Sequence, residues 1–492
     1  MRNHKLVKLI ASRDSPFQLV LACGVGLLLG VACLWFSPLW VLGALTVGGL
    51  GFATLKRPEI ALLGILVATS SIVFEDRLPL IPIGIGSLQI PDILLLGLLG
   101  LIALRWLVEP DFKIIRTPLD LPLLAFYGMA LLASFTAILQ SSVESYIALR
   151  EIRVVSYYLT FFIVTNLVRD SRQLTTLLKG LHLLAAITAA AMIAQFVLGE
   201  AVSLLPGRVE TLWIQGRAYS GVFRILPPGQ SLILVAFIAT TATLVSNRFG
   251  PMSMLRFLHW SLLGLVVVLT FNRSFWVQTT LALFLLGCLV GRRNRQSLIA
   301  WGLVAAVLGA VVLFLALQKP GSQAARLVGA FFGRLGTLGE RGTLREGSLQ
   351  FRYIENEYAL SQIRSHPLIG LGFGARYRPR DPRLDWGEEW DAEAYIHNGH
   401  LWILLKSGPL GYLCLLWLSL AFLIRGFKHW RRIRDGQMKA TVLGFTLTYL
   451  GVLIGAFVNP MFMQRFWTPV IGIMMGVNEV VLMKVVQDGS AG

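Results

Sequence analysis

Charged residues are scarce in this chain: Asp, Glu, Lys and Arg make up 14% of its 492 residues, against roughly 25% in a soluble domain. With 55% of residues hydrophobic and a mean hydropathy of +0.69, the apolar surface cannot all be hidden from water. The composition excludes a soluble globular protein and implies an integral membrane protein. Acids are scarcer than bases, 26 against 44, which leaves a formal net charge of +18. The excess does not point to nucleic acid, because the cations sit in short clusters between apolar runs and no binding motif accompanies them. Anionic lipid headgroups and phosphate-bearing substrates suit it better. Cysteine is nearly absent. Cys23, Cys33, Cys288 and Cys414 all lie in apolar stretches without a C-x-x-C pair, so neither a disulfide framework nor a metal site is expected. There is no internal repeat and no low-complexity tract.

What fills the chain is one apolar run after another. A helix of about twenty residues crosses the roughly 30 Å hydrocarbon layer. On that scale spans are expected near 17–36, 38–55, 59–74, 92–108, 119–139, 153–168, 174–198, 227–246, 257–272, 274–291, 298–317, 400–424, 440–457 and 466–485, about fourteen in all. The first run follows Lys5, Lys8 and Arg13 and is too long for a typical signal segment. Every second connection is basic, from Lys56 and Arg57 to the cluster Arg425, Lys428, Arg431, Arg432, Arg434 and Lys439. These mark the cytoplasmic face, so both termini are expected in the cytoplasm. Four regions follow: N-terminal helices with short outer loops (1–226), central helices (227–317), a long outer loop (318–399) and C-terminal helices (400–492). The expected fold class is thus an all-α polytopic membrane protein with one large, partly helical periplasmic or extracellular loop.

That loop is the polar exception. From Lys319 to His400 it holds eleven Lys and Arg residues and ten acids, and long connections between elements are uncommon unless they carry function. A helix is expected near 344–364, with Phe351, Ile354, Tyr358 and Ser361 on one stripe and Arg345, Arg352 and Glu355 elsewhere on its surface. It should stop before Pro367. The tract PLIGLGFG, 367–374, then reads as a turn-rich return to the membrane. The glycine-rich GRLGTLGERG, 333–342, lacks Walker spacing and reads as flexible linker. Two other outer connections are more than turns: 75–91, rich in Pro, Gly and Ile and suited to dip into the interface, and 199–226, with Arg208, Arg217 and Arg224 beside Trp213, Tyr219 and Phe223.

Candidate chemistry gathers on the outer side. Arg273, in TFNRSFW, either snorkels to the interface or binds an anion. Arg352 either pairs with Glu355 at i, i+3 or offers a bidentate fork to phosphate. Arg224, in GVFRILPPG, and Arg217 on the same connection are further candidates for substrate binding. His397 stands at a span entrance facing a basic loop, where an imidazole can accept a proton. Asn398 beside it is a substrate-binding candidate, or the cap of the next helix.

The sequence HNGHLWILLKSGPLGYL, 397–413, resembles the histidine-asparagine signature of the O-antigen ligase and O-antigen polymerase superfamily, in which an HN pair precedes spaced leucines and a G-x-x-G turn, here Gly408 and Gly411. Upstream, Thr270, Arg273 and Ser274, and then Arg352 with Pro367, Gly370 and Gly372, are similar as well. The likeness runs from about 227 to 424. It implies a GT-C-like enzyme of the cytoplasmic (inner) membrane that moves a saccharide from undecaprenyl diphosphate to an acceptor hydroxyl on the outer face, inverting, without metal or cofactor. By the same likeness Arg273 and Arg352 hold the diphosphate, His397 is the essential histidine, Arg224 is a helper, and the acceptor is a glycan or lipid A core. A chain-length regulator is an expected partner. An apparent extra helix pair in the first two hundred residues leaves ligase and polymerase both open, with polymerase favoured. Two other readings stand beside this one. An anion transporter of bicarbonate-like substrates would need midplane polar residues, of which Asn478 and Glu479 are the exception found. A non-catalytic envelope-assembly subunit would dock through Trp386, Trp390 and Tyr395.

Overall fold

The computed structural model describes residues 56–490 apart from 71–72, 75–77, 79, 84–85, 201, 215–216, 228, 247–253, 320, 338–346 and 382–392. The expected spans at 17–36 and 38–55, and Trp386 and Trp390, lie outside the described residues. The chain between is mainly helical. In order it forms α1 (Pro58–Ser70), the hairpin β1 (Ile81–Ile83) and β2 (Gly86–Leu88), α2 (Ile90–Val108), α3 (Asp120–Leu139), α4 (Ser145–Ser156), α5 (Thr160–Leu167) and α6 (Ser171–Leu198). A second hairpin, β3 (Arg208–Ile214) and β4 (Arg217–Leu226), leads to α7 (Gln230–Ser246), α8 (Met254–Leu269), α9 (Arg273–Leu289) and α10 (Arg292–Gln318). Then come α11 (Gln323–Gly336), α12 (Gly347–Ser365), α13 (Gly399–His429), α14 (Gly436–Gly455) and α15 (Thr468–Ser490).

Among the described residues, six helices (α2, α3, α6, α10, α13 and α14) are long and apolar enough to cross a membrane, and α1, α7, α8 and α9 are shorter apolar helices. This is a multi-pass helical membrane protein. Two expectations need correction. Antiparallel hairpins occupy the connections 75–91 and 199–226. A single span at 153–168 is replaced by the amphipathic α4, a 3₁₀ turn at Tyr157–Leu159 and the short α5. At that break the Thr160 hydroxyl reaches the carbonyls of Tyr157 (2.8 Å) and Pro469 (3.2 Å), so a side chain competes for the helical ladder.

Helix starts follow local chemistry. Asp170, Asn272, Ser322, Asn398 and Asp435 each accept backbone N–H groups at the starts of α6, α9, α11, α13 and α14, satisfying donors that a helix leaves open. Helices α7 and α14 are enclosed along nearly their whole length. They cross where a Cβ on Gly444 would lie 2.8 Å from the Ala239 Cα. Helix α10 buries only Ser297 and Ala316 and turns its other sides outward, as a lipid-facing helix does. On α15, Arg425 holds both carboxylate oxygens of Glu479 at 2.7 Å, and the Asn478 amide donates to the Val442 carbonyl and the Thr446 hydroxyl, while its Oδ1 is buried without a partner among the described residues.

Helix α13 is broken at Gly408, whose backbone is left-handed (φ 71°), and Pro409 has no N–H to give. The break strips the carbonyls of Leu405 and Lys406 of helical donors. The return tract supplies them: Leu371 N–H donates to the Leu405 carbonyl and Gly372 N–H to that of Lys406, both at 2.9 Å. The approach leaves no room for side chains. A Cβ on Gly370 would sit 2.5 Å from the Gly408 nitrogen, one on Gly408 2.2 Å from the Leu368 carbonyl oxygen, and one on Gly372 2.4 Å from the Ala137 Cβ. Gly370→Ala and Gly408→Ala are each expected to cost about 1–2 kcal/mol from the left-handed backbone alone, and more once overlap is added. Gly302→Ala, with nothing within 4 Å of the new Cβ, should be neutral or gain up to about 1 kcal/mol. Thermal midpoints of the detergent-extracted variants, read by fluorescence-detected size exclusion, check this; equal midpoints for all three would refute the docking argument.

Candidate functional site

The starts of α9 and α13 and the end of α14 share one end of the bundle. Gly399 N–H donates to the Ala456 carbonyl at 2.7 Å, and the Asn459 amide to the Ser274 hydroxyl at 2.6 Å. Phe271, just before α9, holds φ at 47°, uncommon for a bulky residue. Its carbonyl accepts from Arg334 Nε at 3.3 Å. Arg273 opens α9 and donates through Nη1 to the carbonyl and hydroxyl of Thr337, at 3.3 and 3.1 Å. The predicted linker 333–342 is therefore helical in its first part: Gly333, Arg334 and Gly336 complete α11, with Arg334 buried, and the rest lies outside the described residues. The spacing of Leu327, Ala330, Phe331 and Arg334 at three and four residues lays α11 across the β3–β4 hairpin, where a Cβ on Gly333 would stand 2.9 Å from the Tyr219 hydroxyl.

His397 is set by a carboxylate. Glu355, on α12, has a side chain with no exposed surface. It accepts the His397 backbone N–H at 2.9 Å, and its two oxygens lie 2.9 and 3.0 Å from His397 Nδ1. A carboxylate only accepts, so Nδ1 carries the hydrogen and Nε2 of the neutral ring is left as the acceptor. The imidazole keeps 21% of its side-chain surface and is walled by Tyr395 (ring centroids 5.0 Å) and Phe351 (6.3 Å). Arg378 Nη2 closes the network at 3.3 Å from Glu355. Burial, and then the Glu355 charge, push the Tyr395 hydroxyl well above its ordinary range.

Glu355 is thus not on the outer surface of its helix, as its polarity alone suggests, and it pairs with His397 and Arg378, not with Arg352. Arg352 is otherwise disposed. Among the described residues it makes no hydrogen bond, and its Nε is buried without a partner. Burial lowers its pKa, and the positive charges of Arg273 and Arg224 lower it further while Glu355 and Tyr395 oppose them. Arg224, on β4, also has a buried, unpartnered Nε; its Nη1 pairs with Glu210 at 3.1 Å. Burial lowers its pKa too; Glu210 counters this, and Arg208 and Arg273 add to it. Arg224, Arg273 and Arg352, from three distant stretches, are therefore close enough to repel one another, and the Glu355 charge acts on Arg352 without bonding to it.

Two expected residues stand apart. Arg217 is exposed at the far end of the hairpin, its guanidinium 5.6 Å from the Tyr219 ring. Asn398 spends its carbonyl oxygen on the N–H groups of His400 and Leu401, both 3.1 Å away, as a helix cap does. Glu355, Arg378, Arg334 and Arg208 were not among the expected site residues. The one local signal for Glu355 is its place three residues after Arg352; the rest depends on partners far off in sequence.

Removing Glu355 leaves Arg378 buried without its carboxylate, so Glu355→Ala should cost about 3–5 kcal/mol. Removing both should cost less than the sum of the single changes. Chemical denaturation or thermal midpoints of the two singles and the double measure this, and simple additivity would rule out the coupled network.

No curated protein matches the chain. Residues 259–416 match a family model described as O-Antigen ligase. The matched segment contains Arg273, Arg352, Glu355, Arg378 and His397, together with the Gly370 and Gly408 docking; Arg224 and the hairpin precede it. Over that segment, about a third of the chain, the protein is similar to the O-antigen ligase family.

Proposed function

We propose that the protein transfers a saccharide from undecaprenyl diphosphate to an acceptor hydroxyl at the outer face of the cytoplasmic (inner) membrane, as a GT-C-like enzyme with His397 as base and Arg273 and Arg352 as the diphosphate ligands. The observation that carries this reading is the buried, acceptor-less Nε of Arg352 among guanidiniums that repel it, in the same cluster as an oriented imidazole. Buried donors without acceptors cost about 1–3 kcal/mol each, more when charged. Such a cost is recovered when an anion arrives, and a diphosphate brings the several oxygens that arginine forks fit.

The acceptor oxygen attacks the anomeric carbon from the side opposite the leaving group, its proton passes to His397 Nε2, and the bond from that carbon to phosphate oxygen breaks. The electron pair leaves with undecaprenyl diphosphate, so the anomeric configuration inverts. Glu355 keeps the Nδ1 hydrogen in place and stabilises the imidazolium that forms. The arginines meet the charge that grows on the departing diphosphate, where preorganised donors lower the barrier most. No step calls for a metal. Arg224 helps hold the donor. The acceptor is a growing glycan in a polymerase or a lipid A core in a ligase, and a chain-length regulator is a partner in the former.

The test is transfer from a lipid-linked glycan by the protein reconstituted in liposomes. His397→Ala should lose about 10²- to 10⁴-fold in rate. Arg273→Ala and Arg352→Ala should lose activity while remaining inserted and monodisperse, and Arg352→Lys should not restore it, since an ammonium cannot form the fork. Transfer should survive EDTA. A ladder of products means polymerase and a single adduct on core means ligase. Full activity in His397→Ala would refute the assigned base.

A further inference from the structure

The β3–β4 hairpin carries a carboxylate in an unexpected place. Glu210 lies directly across the strand pair from Arg224, and Arg208 is two residues before it, on the same face of β3. One Glu210 oxygen is 3.1 Å from Arg224 Nη1 and the other is 3.2 Å from Arg208 Nε. Both cations belong to the cluster described above: Arg224 faces Arg273 and Arg352, and Arg208 lies within electrostatic reach of Tyr395, the ring against His397. Glu210 thus bridges Arg208 and Arg224, and its side chain keeps 36% of its surface.

We propose that Glu210 is an internal stand-in for donor phosphate: its carboxylate bridges Arg208 and Arg224 in the unliganded protein, and the incoming diphosphate displaces it and takes both guanidiniums. This rests on the donor assignment above and adds to it Arg208 as a phosphate ligand and Glu210 as a competitor. The chemistry is matched. A carboxylate offers two oxygens and one negative charge, and a diphosphate offers more of both, so it wins the exchange without any large movement of the strands. A partly exposed ion pair contributes only about 0.2–1 kcal/mol, which makes the stand-in easy to displace. It also keeps Arg224 aligned while the site is empty. Meanwhile the buried Nε groups of Arg224 and Arg352 stay without acceptors, so the stand-in satisfies only part of what a diphosphate would.

The experiment uses the full-length protein in detergent, titrated with farnesyl diphosphate by calorimetry at low and high salt, with donor KM measured in parallel. Glu210→Gln should tighten diphosphate binding by about threefold or more and lower donor KM by a similar factor, with the gain shrinking at high salt. Arg208→Ala should weaken binding and erase the gain when combined with Glu210→Gln. Glu200→Gln removes the same charge from a residue that touches the hairpin through the Thr211 hydroxyl, 2.8 Å away, and should leave binding unchanged. Unchanged or weaker binding in Glu210→Gln, or an equal gain in Glu200→Gln, would overturn the proposal while leaving the transferase reading intact. A wild-type protein that binds no diphosphate at all would overturn both.

Discussion

Backbone groups inside a membrane bundle must find partners within the protein, because lipid offers none. The break in α13 at Gly408 and Pro409 violates that rule locally, and the amides of Leu371 and Gly372 restore it. Much of the site's geometry depends on this exchange. It fixes the return tract of the long loop against the membrane helix that follows His397, and so limits where Arg378, Tyr395 and His397 can lie. It also explains why the tract is built from glycine: Gly370, Gly372 and Gly408 all have left-handed backbones, and all are approached too closely for a Cβ.

On that frame the charges fall into two sets that behave differently. Glu355, Arg378 and His397 form a network in which the acid is saturated by donors, and it serves order: one carboxylate determines the tautomer of the imidazole. Arg224, Arg273 and Arg352 form a set of mutually repelling positive charges, and the Nε groups of Arg224 and Arg352 are buried without acceptors. A buried pair removes its own cost by pairing. The two sets meet on α12, where Arg352 and Glu355 are three residues apart but make different partners.

The helices were legible because a membrane span is a matter of run length, and most of the described spans fall within a few residues of the apolar runs. Asn398 announces a helix start for an equally local reason. The hairpin at Arg208–Leu226 was not legible, since a register shift between Thr211 and Leu212 interrupts the alternation that would betray a strand. Arg273, Arg352 and His397 could be singled out from motif and position. Glu355 could not, because an acid reads as a surface residue until its partners, Arg378 and His397, are brought to it by the fold.

The Gly408 break has a consequence for engineering and for inheritance alike. The return tract and the broken helix complete each other's hydrogen bonds, so neither is a self-contained part. A chimera that imports the outer loop of one relative into the helices of another must bring the matching kink, or leave unsatisfied carbonyls at membrane depth. The natural unit of exchange is therefore the loop together with the first turns of the span that follows it.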